Sequence, residues 1–359
     1  MTRRSGLATL ILLGAIACAE RTDAIVFGAA GKWDSGYGAM SRRGTELAIA
    51  ELNAAGGVKG RRIELRALDD QASGAVAAAV ADSLVNDPRV SVVIGHLASG
   101  AMVAAAPVYD AGSLPAIATT ATSADLTGVS RWVFRVVPSD SASAISLARF
   151  AETLNRGRAA ILYENDAYGR GLADAFRRAY KGKIVAVIPM AVDQTQFEPY
   201  LAYVKAQQAD LVFVAGTEST GLPLIAQFRA GKFEGDLLGA DGWAPVVAEP
   251  SADGVYVGVP FAARDRRAAA QSFVKAFSAR YGMEPDNNAA LAYDAVMLAA
   301  RAIGEVGSDR AKIRDWLAAG NSMEGATGTI RLGANGDPEN KGIRITRIAR
   351  GTLEPVEGQ

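Results

Sequence analysis

The chain has 359 residues, of which 50% are hydrophobic and 7% aromatic, and its 38 basic side chains balance 38 acidic ones. That length suggests two domains, each with a sizeable core. Neutral charge, with no basic stripe and no RNA-type aromatic motif, argues against nucleic-acid binding.

The first residues have the pattern of an export signal. Two arginines precede an apolar run over residues 7–17, which is too short to span a bilayer as a helix. Small residues then lead to Cys18, the only cysteine in the sequence, as in a bacterial lipobox. We expect a signal peptide over 1–17, a lipidated Cys18 and a tether over 18–23, so that the lipid alone holds the protein at the membrane. The alternative is an ordinary secretory signal cleaved at a neighbouring alanine.

From residue 24 onward, strand patterns alternate with helix patterns along the chain. Such alternation predicts parallel sheets with helices on both faces. No low-complexity linker separates the two halves, which favours two lobes joined by several crossings. The predicted strands lie at 24–28, 62–68, 90–94, 114–117, 159–163, 183–189, 210–215, 236–239, 255–260, 327–332 and 343–348. A glycine-rich loop is predicted at 31–38.

Two small, hydroxyl-rich loops follow neighbouring predicted strands, at 95–100 and 119–123. Ser99 falls between a strand and a helix, at the sheet edge where open α/β folds bind ligands. The free N–H groups of a helix start, beside a serine hydroxyl, suit a carboxylate. The alternative is a pair of ordinary turns, since Ser, Thr and Gly are common there.

Candidate catalytic groups are few. His96 is the only histidine and follows a buried strand, so we interpret it as a structural imidazole. Asp69 and Asp70 are interpreted as hydrogen-bonded residues at a lobe edge. A hydrolase on a doubly wound fold is a third hypothesis for the function, but the sequence lacks an evident nucleophile–base pair. We expect no metal and no cofactor.

A series of motifs occurs in order along the chain, at 37–38, 43–60, 62–65, 69–71, 95–96, 168–173 and 291–296. Together they resemble the periplasmic Leu/Ile/Val-binding family of ABC transporter substrate-binding proteins. The resemblance extends over most of the chain after residue 24. It implies an α/β fold of two Rossmann-like lobes, with parallel sheets flanked by helices, joined by a three-crossing hinge: the type I periplasmic-binding-protein fold.

The resemblance also implies lobe boundaries. The first lobe comprises residues 24–138 and 263–323, and the second comprises 139–262 and 324–359. The crossings fall near Pro138, near Phe261 and near Glu324–Gly325. Members with a disulfide have a cysteine at the place of Ala98, so this chain lacks that bridge.

Ligand contacts follow from the resemblance in the first lobe. Ser99 matches a serine that holds the ligand carboxylate. Thr122 matches a threonine that grips the ammonium and carboxylate, with backbone contacts from Thr120 and Ala121. Tyr37 matches an aromatic residue of the side-chain pocket.

In the second lobe, Tyr168 matches a tyrosine that closes over the ligand. Asp241 falls where the family has an acidic residue for the ammonium, although Asp-Gly is also a turn signal. Glu218 or Thr217 falls where the best-known members have tyrosine, which leaves the shape of the side-chain pocket open.

The resemblance implies an exported, periplasmic or extracytoplasmic protein and not an enzyme. It would capture an amino acid, branched-chain or similar, and deliver it to the transmembrane subunits of an ABC permease. A sensor of the same fold, with an amide, urea-like or aromatic acid ligand, is the alternative. We expect a monomer.

Overall fold

The computed structural model describes residues 24–339 and 341–356. The predicted signal peptide (1–17) and tether (18–23), and with it Cys18, lie outside the described residues. Within those ranges, no helix has both the length and the apolar character that crossing a bilayer requires.

A parallel sheet organises the first part of the chain, the first lobe. Its strands β1 and β3 are buried along their whole length, because helices cover both faces of such a sheet. The strands are β1 (Ile25–Gly31), β2 (Ile63–Asp69), β3 (Val90–Gly95), β4 (Ala116–Ala118) and β5 (Val133–Arg135). Their order is β2-β1-β3-β4-β5. The connecting helices are α1 (Gly36–Ala54), α2 (Gly74–Val85) and α3 (Ser99–Ala111). The predicted loop at 31–38 is therefore shorter than expected, since α1 begins at Gly36, behind the Ser35 cap.

A second sheet begins with five more parallel strands and defines the second lobe. The strands are β6 (Arg158–Glu164), β7 (Lys183–Met190), β8 (Leu211–Ala215), β9 (Asp236–Gly239) and β10 (Tyr256–Val259). The helices are α4 (Asp140–Thr153), α5 (Ala167–Ala179), α6 (Glu198–Ala206) and α7 (Glu218–Ala230). A 3₁₀ helix, Asp241–Ala248, follows β9.

The chain then returns to the first lobe. It adds α8 (Ala268–Tyr281), α9 (Asn287–Val306), α10 (Arg310–Ala318) and a hairpin of β11 (Ser322–Gly325) and β12 (Gly328–Arg331). Helix α9 packs closely on α1, where a Cβ at Gly44 would lie 2.1 Å from the Ala289 carbonyl oxygen. Glycine at position 44 is therefore needed for this approach.

The last two strands complete the second sheet. Strands β13 (Arg344–Ala349) and β14 (Thr352–Pro355) are antiparallel, and the final order is β14-β13-β10-β9-β8-β6-β7. Each crossing from one lobe to the other thus lies between elements of different sheets.

The strand pleat divides the core of the first lobe between its two faces. Phe27 packs on one face in a cluster with Leu298 and Ala299 of α9. Its neighbour Val26 packs on the other face in a cluster with Met102 of α3. One strand therefore joins helices that lie hundreds of residues apart in sequence into a single lobe.

The packing of the β11–β12 hairpin bears on the position of the third crossing. Ile330 and Leu332, which follow the predicted boundary at Glu324–Gly325, are buried in the same cluster as Phe27 of the first sheet. The hairpin cannot be divided between lobes, because β11 and β12 pair with each other. We therefore propose that the third crossing lies between residues 332 and 344.

Arg135, at the end of β5, contacts the segment in which we propose the third crossing. Its side chain is 2% exposed and its Nε lies 2.7 Å from Asp337 Oδ1. The guanidinium also donates to the carbonyl oxygens of Thr122 (3.0 Å) and Ser123 (2.7 Å), and the Arg135 backbone N–H donates to the Gly336 carbonyl at 2.9 Å. Burial lowers the pKa of Arg135, and the carboxylate of Asp337 opposes this effect.

Three buried side chains, linked by hydrogen bonds, lie beneath the loops after β2 and β3. His96 Nδ1 lies 2.6 Å from Asp70 Oδ2, and its Nε2 lies 2.8 Å from the Tyr109 hydroxyl. All three side chains are fully buried. Asp70 also accepts from the Ala72 N–H at 2.8 Å. The interpretation of His96 as a structural imidazole is confirmed.

We predict that Tyr109→Phe destabilises the protein by about 1–3 kcal/mol, because one ring nitrogen of His96 loses its buried partner. Urea unfolding at neutral pH measures the effect. Tyr203→Phe is the matched control, since Tyr203 is 51% exposed and a surface change of this kind alters stability by at most about 0.5 kcal/mol. Equal unfolding free energies for the two variants would contradict the role of the hydroxyl.

Asp140 is a buried carboxyl at the first crossing. It is 1% exposed, its backbone N–H donates to the Thr122 carbonyl at 2.8 Å, and its Oδ2 has no hydrogen-bond partner among the described residues. Burial, and secondly the charge of Asp241, raise the pKa of Asp140 to about 8. The folded protein therefore holds a proton here that the unfolded chain releases at lower pH.

We predict that the unfolding free energy of Asp140→Asn increases relative to that of wild type as the pH rises from 5 to 9. The folded-state pKa is raised, so the wild type loses stability as the pH rises through that window, whereas Asn does not titrate. The difference in unfolding free energy should grow by at least about 1.4 kcal/mol, the equivalent of one pKa unit. Urea titrations at both pH values test this, and a pH-independent difference would contradict it.

Candidate ligand-binding cleft

A cleft of about 430 Å³ lies between the two lobes. It is bounded by the loops that follow the carboxyl ends of parallel strands in both sheets, the position at which open α/β sheets bind ligands. Its lining residues from the first lobe are Lys32, Ser35, Gly36, Tyr37, Ala72, Leu97, Ala98, Ser99, Gly100, Thr120 and Asn288. Those from the second lobe are Glu164, Asp166, Ala167, Tyr168, Val192, Asp193, Thr217, Glu218, Ser219, Asp241 and Gly242.

Ser99 lies at the start of α3 and faces the cleft together with Gly100. The cap residue Ala98 makes no side-chain hydrogen bond to the helix start, so it leaves the first amide groups of α3 uncapped within the described part of the chain. The Ser99 hydroxyl accepts from the Ser123 N–H at 3.2 Å, which fixes its position and leaves its proton free to donate. This end of the cleft can receive an anionic group.

The second hydroxyl-rich loop contributes less than the sequence predicts. Thr120 lines the cleft and donates to the Leu97 carbonyl at 2.8 Å. Ala121 and Thr122 are 0% and 1% exposed and are not among the lining residues. Ala121 packs in the core beneath α3. The Thr122 carbonyl accepts from Arg135 and Asp140, while its hydroxyl has no partner within the described ranges.

Tyr168 and Asp241 form a pair on the second lobe. Asp166 caps α5 and thereby places Tyr168 in the first turn. The Tyr168 hydroxyl donates to Asp241 Oδ1 at 3.0 Å and accepts from the Gly242 N–H at 3.3 Å. The Asp-Gly sequence does not form a simple turn, because Asp241 begins the 3₁₀ helix after β9. Burial raises the pKa of Asp241 to about 6, although the Tyr168 hydrogen bond lowers it.

Tyr37 and Glu218 connect the lobes directly. The backbone N–H of Tyr37, on α1, donates to Glu218 Oε1, on α7, at 3.3 Å. A Cβ at Gly36 would lie 2.7 Å from that oxygen, so the absence of a side chain there allows the approach. Burial raises the pKa of the Glu218 carboxyl.

Glu164 and Asn288 are two of the lining residues that the sequence-based set lacks. Glu164 is the last residue of β6 and is 0% exposed. Asn288, at the start of α9, is 4% exposed and donates to Asp286 Oδ2 at 2.9 Å. The position of Glu164 at a strand end was a usable signal. Asn288 had none, because only the return of the chain to the first lobe brings it to the cleft.

The described residues contain no group of three or more metal-ligating side chains that could hold an ion. The cleft combines helix N–H groups and a serine on one lobe with a carboxylate and a tyrosine on the other. This arrangement can hold a small molecule that carries an anionic and a cationic group.

Comparisons with known proteins identify the family of this chain. The model of the family described as "Periplasmic binding protein" matches residues 29–352. The Leu/Ile/Val-binding protein of Escherichia coli K12 is 30% identical over 254 residues, which cover 68% of this chain and 69% of that protein. An "Amino acid binding protein" of Pseudomonas aeruginosa is 28% identical over 308 residues, 82% of each chain.

Solved structures show the same fold. One is the branched-chain amino acid transporter substrate-binding protein LivJ of Streptococcus pneumoniae in complex with isoleucine, which is 29% identical to this chain. The superposition has a TM-score of 0.86 and covers 93% of this chain and 99% of that one. A solute-binding protein of R. palustris in complex with benzoate, 22% identical, has a TM-score of 0.87 over 93% and 95%. The predicted fold class is confirmed.

The family match over most of the chain, the bacterial relatives and the shared two-lobed fold lead to one conclusion. This chain belongs to the periplasmic binding protein family, among the substrate-binding proteins of ABC transporters that include the Leu/Ile/Val-binding proteins.

Proposed function

We propose that this protein binds an α-amino acid between its lobes and delivers it to the transmembrane subunits of an ABC permease. The observation that carries the proposal is the division of polar groups across one cleft. Ser99 and the uncapped start of α3 lie on the first lobe. Asp241, bonded to Tyr168, lies on the second.

The α-carboxylate would accept from Ser99 and the first N–H groups of α3, since a helix start favours negative charge. The α-ammonium would pair with Asp241. Its positive charge would offset the cost of a buried carboxylate, which otherwise raises the pKa of Asp241. Thr120 would supply the contact from the second loop, because it lines the cleft whereas Thr122 is 1% exposed and is not among the lining residues.

The three crossings would form a hinge. A ligand that contacts both lobes binds the closed form more tightly than the open form, and therefore shifts the population towards closure. Release to the permease would require the lobes to separate, which breaks the Tyr37–Glu218 hydrogen bond. The protein would act as a monomer, with its lipid on Cys18 as the attachment to the membrane.

Asp241→Ala should weaken binding of the preferred amino acid by about 30-fold or more, because it leaves the ligand ammonium without a partner in the closed cleft. A thermal-shift screen of the common L-amino acids identifies that ligand. Calorimetric titration then compares it with its deaminated analogue. Wild type should bind the analogue much more weakly than the amino acid, and Asp241→Ala should reduce the ratio between the two affinities.

Asp34→Ala, which removes an exposed carboxylate of the α1 loop, is the control and should leave both affinities nearly unchanged. If the deaminated acid binds wild type as tightly as the amino acid does, and Asp241→Ala costs nothing, then the ligand is not an amino acid.

Cys18→Ser should release the exported protein from the membrane fraction without changing ligand affinity, since Cys18 precedes the folded lobes in sequence. Fractionation of cells that express each form, followed by titration of the purified proteins, measures both effects. A wild-type protein that already fractionates as soluble after export would contradict the lipid anchor.

A further inference from the structure

The cleft carries more negative charge than one α-ammonium requires. Five carboxylates line it: Glu164, Asp166, Asp193, Glu218 and Asp241. Among the residues that the structure describes, Lys32 is the one basic side chain in the lining. Asp166 caps α5 and Asp193 is exposed. Once Asp241 is assigned to the α-ammonium, Glu164 and Glu218 remain without a function.

Glu164 is held rigidly but is only half satisfied. Its Oε1 accepts from the Thr217 N–H and hydroxyl, both at 2.9 Å, and from the Thr220 hydroxyl at 2.6 Å. Its Oε2 has no hydrogen-bond partner within residues 24–339 and 341–356, although the side chain is 0% exposed and lines the cleft. Three donors on one oxygen fix the carboxylate, and the second oxygen is left for something else.

Glu218 shows the same asymmetry. Its Oε1 accepts from the Tyr37 N–H, and its Oε2 is buried without a partner in the described chain. Thr217, which donates twice to Glu164, immediately precedes Glu218. The start of α7 therefore links the two half-satisfied carboxylates, since it carries Glu218 and its cap residue Thr217 holds Glu164 at the end of β6.

The resemblance implies a tyrosine at the place of Glu218 or Thr217, and this chain has a carboxylate and a hydroxyl at these two positions instead. A buried carboxylate oxygen without a donor is costly, and a neutral, apolar side chain placed against it would increase that cost by excluding water. A cation with several N–H donors removes the cost, and its hydrogen bonds to carboxylates are among the strong ones.

On the basis of the proposed amino-acid ligand, we propose that the side chain of the ligand ends in a cation, an ammonium or a guanidinium, which pairs with Glu218 and Glu164. The α-carboxylate and α-ammonium keep their places at Ser99 and Asp241. The substrate class is then the basic amino acids, and not the branched-chain ones.

Two ligand pairs isolate the side-chain charge. L-Arginine and L-citrulline have side chains of the same length and differ in charge, and L-lysine and L-norleucine form a second pair. Calorimetric titration of wild type should show that arginine or lysine binds at least about 10-fold more tightly than its neutral counterpart, as the loss of one close charge pair predicts.

Glu218→Gln and Glu164→Gln keep the acceptor oxygen and replace the free oxygen with an amide NH₂. Each should weaken binding of the preferred basic amino acid by about 10-fold or more, and binding of its neutral counterpart by less than about 3-fold. Asp34→Asn, which removes an exposed charge outside the lining, is the matched control. Urea unfolding midpoints confirm that the variants fold.

The outcomes separate the two proposals. A neutral amino acid that binds wild type as tightly as arginine and lysine overturns the cationic side chain and leaves the proposed function intact. The same holds if the glutamine variants lose affinity equally for charged and neutral ligands, or lose none. If no amino acid binds wild type, the proposed function fails and this inference fails with it.

Discussion

The direction of parallel strands is the constraint on which the site depends. Strands that run the same way end at the same edge of a sheet, so every βα loop of a lobe opens towards one side. In the first lobe this edge carries Ser99 and Thr120, and in the second lobe it carries Tyr168 and Asp241. Two such edges that face each other create a cleft whose polar groups come from many separate loops.

Each lobe is built from separate segments, because the chain passes from the first lobe to the second and back again. Helix α9 helps to cover one face of the first sheet, since it supplies Leu298 and Ala299 to the cluster around Phe27. Because the return requires repeated crossings, the lobes are tied at several points while their cores remain separate. Arg135 and Asp337, which lie 2.7 Å apart, tie the end of β5 to the segment between β12 and β13.

The buried carboxylates of the cleft destabilise the protein when no ligand is bound. Burial raises the pKa of Asp241 and of Glu218, and the carboxylate of Glu164 is affected in the same way. Buried acids without cationic partners disfavour the closed, empty form, because each charge has been removed from water without compensation. Under the proposed function, the cationic groups of the ligand would reverse that balance and so couple closure to binding.

The amino-acid sequence by itself determined the α/β class, the parallel strands and several of the loops at their ends. It could do so because a buried parallel strand leaves a continuous apolar run and a helix start leaves small polar residues, both of which are local patterns. Ser99, Tyr168 and Asp241 were predicted on that basis, together with the family resemblance, and all three line the cleft. Tertiary structure alone decided which groups are left without partners. Thr122 is buried behind the residues that line the cleft, and Asn288 reaches the cleft only because the chain returns to the first lobe. One carboxylate oxygen of Glu164 accepts hydrogen bonds from Thr217 and Thr220. Hydrogen-bond partnership and burial arise from contacts between residues far apart in sequence, and no local pattern encodes them.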